Sequence, residues 1–443
     1  MNTNTRTHVV DRLYRLSNVV KFLGWSLLGI FIFFVPITFS GNKTIPLDHL
    51  VTNIMVRVPS FAPIFTFVII MIGSILPFYE KSWNKDKATF VLSILKLLAI
   101  IPGSMVIFNF GPEWLMREDM LPFLFRRVVM PVALIVPLGS LFLTFITGYG
   151  LLEFFGVLMK PIMRPVWKVP GVAAVNVVAS FVGSFSVGIF MTNRLFREGK
   201  YTVKEAAIIT TGFSTVSATF MVIIAKTLDL MFMWNAFFWS ALIITFVVSA
   251  ITIRLHPLKS MEDTYITGAE ANQLEFNEKL FLNAIREAFK TVEGSNSILK
   301  NMMINLKDGL EMCLRLIPGI VSIGLISLIL VKTTNFFDVI GYIYYPLTTL
   351  LKLSEPMLIA KISAIAGAEV FIPSVIVAAE EVGLATRFIA GVVSISSILF
   401  FSGSIPCILA TDIDLSIKDI LLILVQRTAL TIILVTPVAM ILF

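Results

Sequence analysis

Apolar runs of about twenty residues, each long enough to cross a bilayer core, recur along nearly the whole chain. The pattern predicts helical spans over 19–38, 61–79, 88–108, 128–149, 205–224, 232–253, 308–331, 386–410 and 417–442. That is roughly nine crossings. Two further apolar segments are broken near their middles by glycine and polar residues. One covers 171–197 and is interrupted at Gly-Ser-Phe-Ser-Val-Gly, 183–188. The other covers 357–381 and is interrupted at Gly-Ala-Glu-Val-Phe-Ile-Pro, 367–373. A matching motif precedes each: Glu153-x-x-Gly156-x-x-x-x-Pro161 and Asp338-x-x-Gly341-x-x-x-x-Pro346.

Flanking charge decides how these broken segments run. Cytoplasmic loops collect Lys and Arg, so Arg6, Arg12 and Arg15 place the N-terminus inside, ahead of a retained first helix with no convincing cleavage site. Lys81, Lys85 and Lys87, and then Lys160, Arg164 and Lys168, follow on the same side. A single crossing of 171–197 would send Arg194, Arg197 and Lys200 outside. Entering and returning keeps both clusters inside. The second broken segment is followed by Glu380 and Glu381 against Arg387 and falls outside. The expectation is an all-α polytopic membrane protein built from inverted-topology repeats, each with a re-entrant helical hairpin. N-terminal helices occupy 1–127, repeat one 128–253 with hairpin 171–197, and repeat two 308–443 with hairpin 357–381. The connection 254–307 is cytoplasmic and the C-terminus outside. In it Phe276, Leu280, Phe281, Ala284, Ile285 and Phe289 keep helical spacing. That fits a helix lying on the membrane or, less economically, a partner-docking helix.

Composition agrees with the bilayer as solvent: 57% hydrophobic, 14% charged, mean hydropathy +0.91. The net charge of +7 lies in loops beside apolar runs, which argues against nucleic acid as a partner. Cys313 and Cys407 lie in apolar segments, and His8, His49 and His256 are scattered, so neither a disulfide framework nor a metal cluster is expected. There is no P-loop, HExxH or G-x-S-x-G.

Paired broken segments point to a membrane transporter's binding site. Half-helix ends would offer free C=O and N–H groups there. The candidate substrate-binding residues are Asn176, Ser184 and Ser186 in the first hairpin, and Thr211, Ser214 and Thr215 in the following helix. Lys361 and Glu369 belong to the second hairpin, and Ser394, Ser397, Ser402 and Ser404 to the helix after it. Singly, each hydroxyl fits helix packing better than ligand contact. Glu369, a carboxylate at an apolar turn, is the sharpest candidate. It could bind a cationic group, take up a coupling proton or pair with Lys361. Asp412 and Asp414 read as ordinary interfacial charges. The Gly403-x-x-Pro406 step predicts an unwound turn.

The runs Gly-Asn-Lys-Thr-Ile-Pro-Leu-Asp (41–48), 183–188 leading to Arg-Leu-Phe-Arg-Glu-Gly (194–199), Ala-Gly-Ala-Glu (366–369) and Gly-Ser-Ile-Pro (403–406) resemble the YjiH family of bacterial membrane proteins. Those proteins carry the nucleoside-recognition Gate domain, also found in concentrative nucleoside transporters, the ferrous-iron transporter FeoB and spore-maturation membrane proteins. The resemblance covers essentially the whole chain. It implies three peripheral N-terminal helices, two hairpins between inverted repeats, and a solute moved by an elevator-type shift. The acidic sugar-binding pattern of nucleoside transporters is missing from the second half, as are a G domain and a Cys-rich ferrous site. The combined expectation is a secondary transporter, not an enzyme, in the bacterial inner membrane. It would carry a small polar organic solute such as a nucleoside, amino acid or small peptide, with Na+ or H+ as coupling ion, no cofactor, and room for a homo-oligomer. The competing expectation is a non-transporting interaction module acting through 254–307.

Overall fold

The computed structural model describes residues 16–39, 42–84, 87–118, 120–182, 185–266, 280–401, 403–409 and 411–443. Among the described residues the regular structure is helical apart from one short ribbon, so the all-α expectation holds. Helix α1 (Leu16–Phe34) ends where Pro36 removes a donor. Strands β1 (Ile37–Phe39) and β2 (Asn42–Thr44) pair antiparallel, with Ile37 opposite Thr44. The span expected over 19–38 therefore stops short, and a helix absent from the prediction, α2 (Pro46–Arg57), follows with Pro46 in its first turn. Then come α3 (Phe61–Tyr79), α4 (Lys87–Leu98) and α5 (Ile100–Phe108). A π-turn at Leu124–Val129 leads into α6 (Met130–Thr147).

From α6 onward one order of elements occurs twice. In the first half α6 is followed by the amphipathic α7 (Leu151–Trp167) and then by two short helices in contact with each other, α8 (Ala173–Val182) and α9 (Phe185–Arg197). Next come α10 (Val203–Gly212) and α11 (Ala218–Thr227), separated by non-helical residues 213–217, and the unbroken α12 (Trp234–Thr252). After the connecting α13 (Leu280–Gly294), the second half starts with α14 (Ile298–Thr333). At 36 residues it is about 54 Å long, well beyond a ~30 Å hydrocarbon core, so it reaches out of the bilayer into the segment assigned to the connection. Then follow the short α15 (Phe336–Gly341) and α16 (Tyr345–Leu350), the hairpin α17 (Pro356–Ala368) and α18 (Ile372–Ala378), and α19 (Leu384–Ser397). After a break come α20 (Ser404–Leu409) and the unbroken α21 (Ile417–Leu442).

Among the described residues seven helices are long and apolar enough to cross a membrane. The other two expected spans, 205–224 and 386–410, are each a pair of half-helices. The second interruption was foreseen from Gly403 and Pro406; Gly403 lies in it, whereas Pro406 lies in the first turn of α20, where proline fits. The first was not foreseen, since 213–217 contains no proline or glycine.

The repeated motif marks a repeated contact. Gly156 on α7 faces Val178 of the first hairpin, where an added Cβ would lie 3.6 Å from Val178 Cγ2. Gly341 at the end of α15 abuts the second hairpin, where an added Cβ would lie 3.0 Å from the Lys361 backbone. Small residues let helices approach closely where lipid offers no hydrophobic drive for association.

The described part of the connection packs against the rest of the molecule. Ala284, Ala288, Phe289 and Val292 of α13 are buried. Phe289 meets Phe22 of α1 at 5.9 Å between ring centroids and Phe281 meets Phe154 of α7 at 5.8 Å. Phe276 lies outside the described residues. Part of the apolar face of α13 is thus packed on α1 and α7, while Phe281 and Leu282 remain largely exposed.

Candidate functional site

Four features are linked by contacts: the start of α9, the turn between α17 and α18, and the two breaks. At the second hairpin, α17 ends at Ala368 and α18 starts at Ile372. The half-buried Glu369 carboxylate bends back onto that start. Its Oε2 accepts from Phe371 N at 2.7 Å and Ile372 N at 2.8 Å. It therefore satisfies orphan donors of α18 with a charge that suits a helix N-terminus. The alternative pairing with Lys361 is not made. Lys361 Nζ lies 2.7 Å from Asp338 Oδ1 on α15. Eight positions separate Glu369 from Lys361, more than two helical turns, whereas Asp338 precedes the Gly341 contact with the same arm.

The second break, 398–403, binds both hairpins. Phe401 N donates to Gly367 O at 2.9 Å, in the last turn of α17. Phe400 packs edge-on against Phe185 at the start of α9, with ring centroids 5.1 Å apart. Gly403 fits beneath those rings. An added Cβ would sit 2.5 Å from Phe400 Cε2 and 2.7 Å from Phe185 Cζ. Within the break, Ser404 Oγ donates to Ile398 O at 2.7 Å and accepts from Phe400 N at 2.9 Å. Ile398 holds φ +56°, a conformation a β-branched residue rarely takes and one that concentrates at functional turns.

The first break is closed from another side. Ser249 Oγ on α12 donates to Gly212 O, the end of α10, at 2.6 Å. Ser217 caps α11 by accepting from Phe220 N at 3.3 Å. Between them Ser214 is buried, and Thr215 Oγ1 is buried without a hydrogen-bond partner. Phe220 of α11 meets Phe371 of the second hairpin at 6.0 Å.

One residue that the sequence reading passed over joins the two breaks. Arg427 of α21 is fully buried. Its Nη1 donates to Ser249 Oγ at 2.9 Å and its Nη2 to Ser396 O, in the last turn of α19, at 3.0 Å. Thr431 Oγ1 lies 2.8 Å from Ser396 Oγ. The signal was available: an arginine ten residues inside an otherwise apolar span is a functional candidate by default. The flanking Lys/Arg count for topology passed over it because it lies in no loop.

Other predicted residues are distributed unevenly. The hydroxyls of Thr211, Ser394 and Ser397 bond the carbonyls four residues back, of Ala207, Ala390 and Val393, at 2.7–2.9 Å. That is the helix-internal use of Ser and Thr. Asn176 and Ser186 lie on α8 and α9. Ser184 and Ser402 lie outside the described residues. Ser374 Oγ on α18 is buried and unpartnered. Asp412 is more than an interfacial charge: it accepts from Asn193 Nδ2 at 3.1 Å and from Arg197 Nε, and its N–H donates to Asn193 Oδ1 at 3.1 Å. At the base of the first hairpin, Arg164 pairs with the buried Glu205 at 2.7 Å, and Glu205 completes a capping box with Thr202. Among the described residues no group of three His, Cys, Asp or Glu side chains is placed to hold a metal.

Known proteins resemble the chain at three levels. Residues 129–231, from the π-turn before α6 to the end of α11, match the family described as Gate, nucleoside recognition. An uncharacterized protein of Alkalihalophilus pseudofirmus is 26% identical over 94% of this chain and 93% of its own. A doubly substituted CNTnw, a concentrative nucleoside transporter, solved in an outward-facing state, has a TM-score of 0.44 at 13% identity, over 96% of this chain and 98% of that one. CNTnw in an inward-facing substrate-bound state gives 0.41 at 12% identity, over 94% and 99%. Across α6 to α11, then, the chain carries the Gate pattern that its sequence resembled.

Proposed function

We propose that this protein is a secondary membrane transporter whose solute binds between the two hairpin turns and the two broken helices. The observation that carries this reading is the second break: one short unwound segment touches both hairpins, through Phe401 N–H on Gly367 O and through Phe400 on Phe185. Unwound backbone at membrane depth is tolerated where it is buried in protein or lines a cavity, and paired breaks mark transporter sites. The Gate match supports the same reading. In this account the hairpins are re-entrant from opposite faces of the bacterial inner membrane, in inverted repeats, with the N-terminus inside and the C-terminus outside. The solute is small, polar and organic, coupled to Na+ or H+, and no covalent chemistry is performed. Glu369 and the hydroxyls of both breaks line the path. The competing reading, a docking module acting through 254–307, is the less favoured one because α13 buries Ala284, Ala288, Phe289 and Val292 inside the molecule.

The test is a thermal-shift screen of the purified protein against nucleosides, amino acids and dipeptides, with and without Na+ and across pH, followed by uptake of each stabilising solute into proteoliposomes. The expected result is saturable uptake of at least one stabilising solute. Stabilisation with no uptake under any gradient would contradict the transport reading.

A further inference from the structure

The geometry points to Arg427 as the binding residue for a carboxylate group on the solute. This deepens the transport reading above and rests on it. A buried charge is stable only when paired or richly hydrogen-bonded. Less buried cations are paired with carboxylates: Lys226 with Asp48, Lys361 with Asp338, Arg387 with Asp229 and the partly exposed Arg164 with Glu205. Arg427 is more buried than any of them, and among the described residues no carboxylate lies within ion-pair distance of it. Its two hydrogen-bond acceptors, Ser249 Oγ and Ser396 O, are neutral, and its Nε has no partner.

The free edge defines the ligand. With one contact taken at Nη1 and one at Nη2, Nε–H and a remaining Nη–H form the planar fork that takes both oxygens of a carboxylate. One guanidinium balances one negative charge. A dianion would leave excess charge beside the carbonyl end of α19, which already carries the negative pole of that helix. The residue also stands at the site itself. It binds the last turn of α19 directly, and reaches the end of α10 through Ser249, which bonds Gly212 O. Leu424, one turn earlier on α21, abuts Gly367 in the second hairpin, where an added Cβ would lie 2.9 Å from Leu424 Cδ2. Among the solute classes considered above, amino acids and peptides carry the required group and nucleosides do not.

The experiment measures thermal shifts of detergent-purified protein in a chloride-free buffer with acetate, L-alanine, glycylglycine, chloride and uridine. It uses the wild type, R427K and R427Q, with size-exclusion profiles and unliganded melting as checks on folding. At least one carboxylate probe is expected to stabilise the wild type. R427K keeps the charge without the fork and should bind more weakly, and R427Q should lose on the order of a hundredfold in apparent affinity. If R427Q fails to fold, the wild type and R427K decide. Three results would overturn the assignment: stabilisation by chloride with none by carboxylates, an undiminished carboxylate response in R427K and R427Q, or no response to any carboxylate. Uridine stabilisation and uptake equal in wild type and R427K would sink the carboxylate assignment while leaving transport standing. Absence of uptake for every stabilising probe would sink the transport reading itself.

Discussion

The two helix breaks occupy equivalent places in the two halves, yet they are finished differently. The first, 213–217, leans on α12, an unbroken helix. Ser249 takes the Gly212 carbonyl, and there is space around Gly212, where an added Cβ would keep 3.4 Å from Ser249. The second, 398–403, leans on the hairpins. Its N–H at Phe401 goes to Gly367 O, its rings meet Phe185, and Gly403 has no room for a side chain. One break is anchored to a continuous helix, and the other to the two elements that must part if a solute is to enter. The two halves share an order of elements and differ in chemistry, with Arg427 and Ser249 joining the two breaks.

The sharpest way to break that contrast is to fill the two glycines. Gly403→Leu should displace Phe185 and Phe400, lower stability by about 1–3 kcal/mol and abolish uptake. Gly212→Ala should keep most of both. Equal effects in melting and uptake assays would erase the distinction.

Glu369→Gln is expected next in size, through uptake. Its amide oxygen can still accept from Phe371 N and Ile372 N, so folding should hold to within about 1 kcal/mol. Uptake should be lost or uncoupled. Unchanged uptake and unchanged pH dependence would remove Glu369 from the mechanism.

Ser249→Ala strips the Gly212 carbonyl and Arg427 of a shared partner. The expected cost is about 1–3 kcal/mol in denaturant or thermal melts, the range for buried groups left unsatisfied. A neutral result would mean that the two breaks are not linked through this hydroxyl.

The smallest effect belongs to the exposed latch Asn193–Arg197–Asp412. Hydrogen bonds from Arg197 and then Asn193 hold the Asp412 carboxyl below its usual pKa. A depressed carboxylate contributes stability that is complete above its unfolded pKa and fades as pH falls through the lower folded value. The wild-type advantage over Asp412→Asn should therefore be flat from about pH 5 to 8 and fade only below about pH 4. An advantage that changes around neutrality would assign it to another group.

Much of this architecture was legible because two physical signals are local. Apolar length gives the crossings, and the run 367–373 contains the turn between α17 and α18. The paired motif around Gly156 and Gly341 turned out to be the helix-to-hairpin contact itself. The break at 213–217 was hidden because its residues, Phe213 to Ser217, are compatible with helix. Only the tertiary partners Ser249 and Phe371 reveal why the helix opens there. The Lys361–Glu369 pairing, one of the alternatives the sequence leaves open, is not made for a related reason. Sequence proximity favoured it, but Lys361 is closer in space to Asp338, and Glu369 finds backbone donors two and three residues ahead.

The most direct test of the central claim joins Gly367 to Phe401. The hydrogen bond between Phe401 N and Gly367 O brings their backbones within range of a disulfide. The double substitution Gly367→Cys, Phe401→Cys, made with Cys313→Ala and Cys407→Ser, would be oxidised in proteoliposomes, and counterflow of a stabilising solute from the thermal-shift screen measured before and after reduction. The account predicts that exchange stops on cross-linking and returns with reductant. A fully cross-linked protein that exchanges solute at the undiminished rate would contradict it.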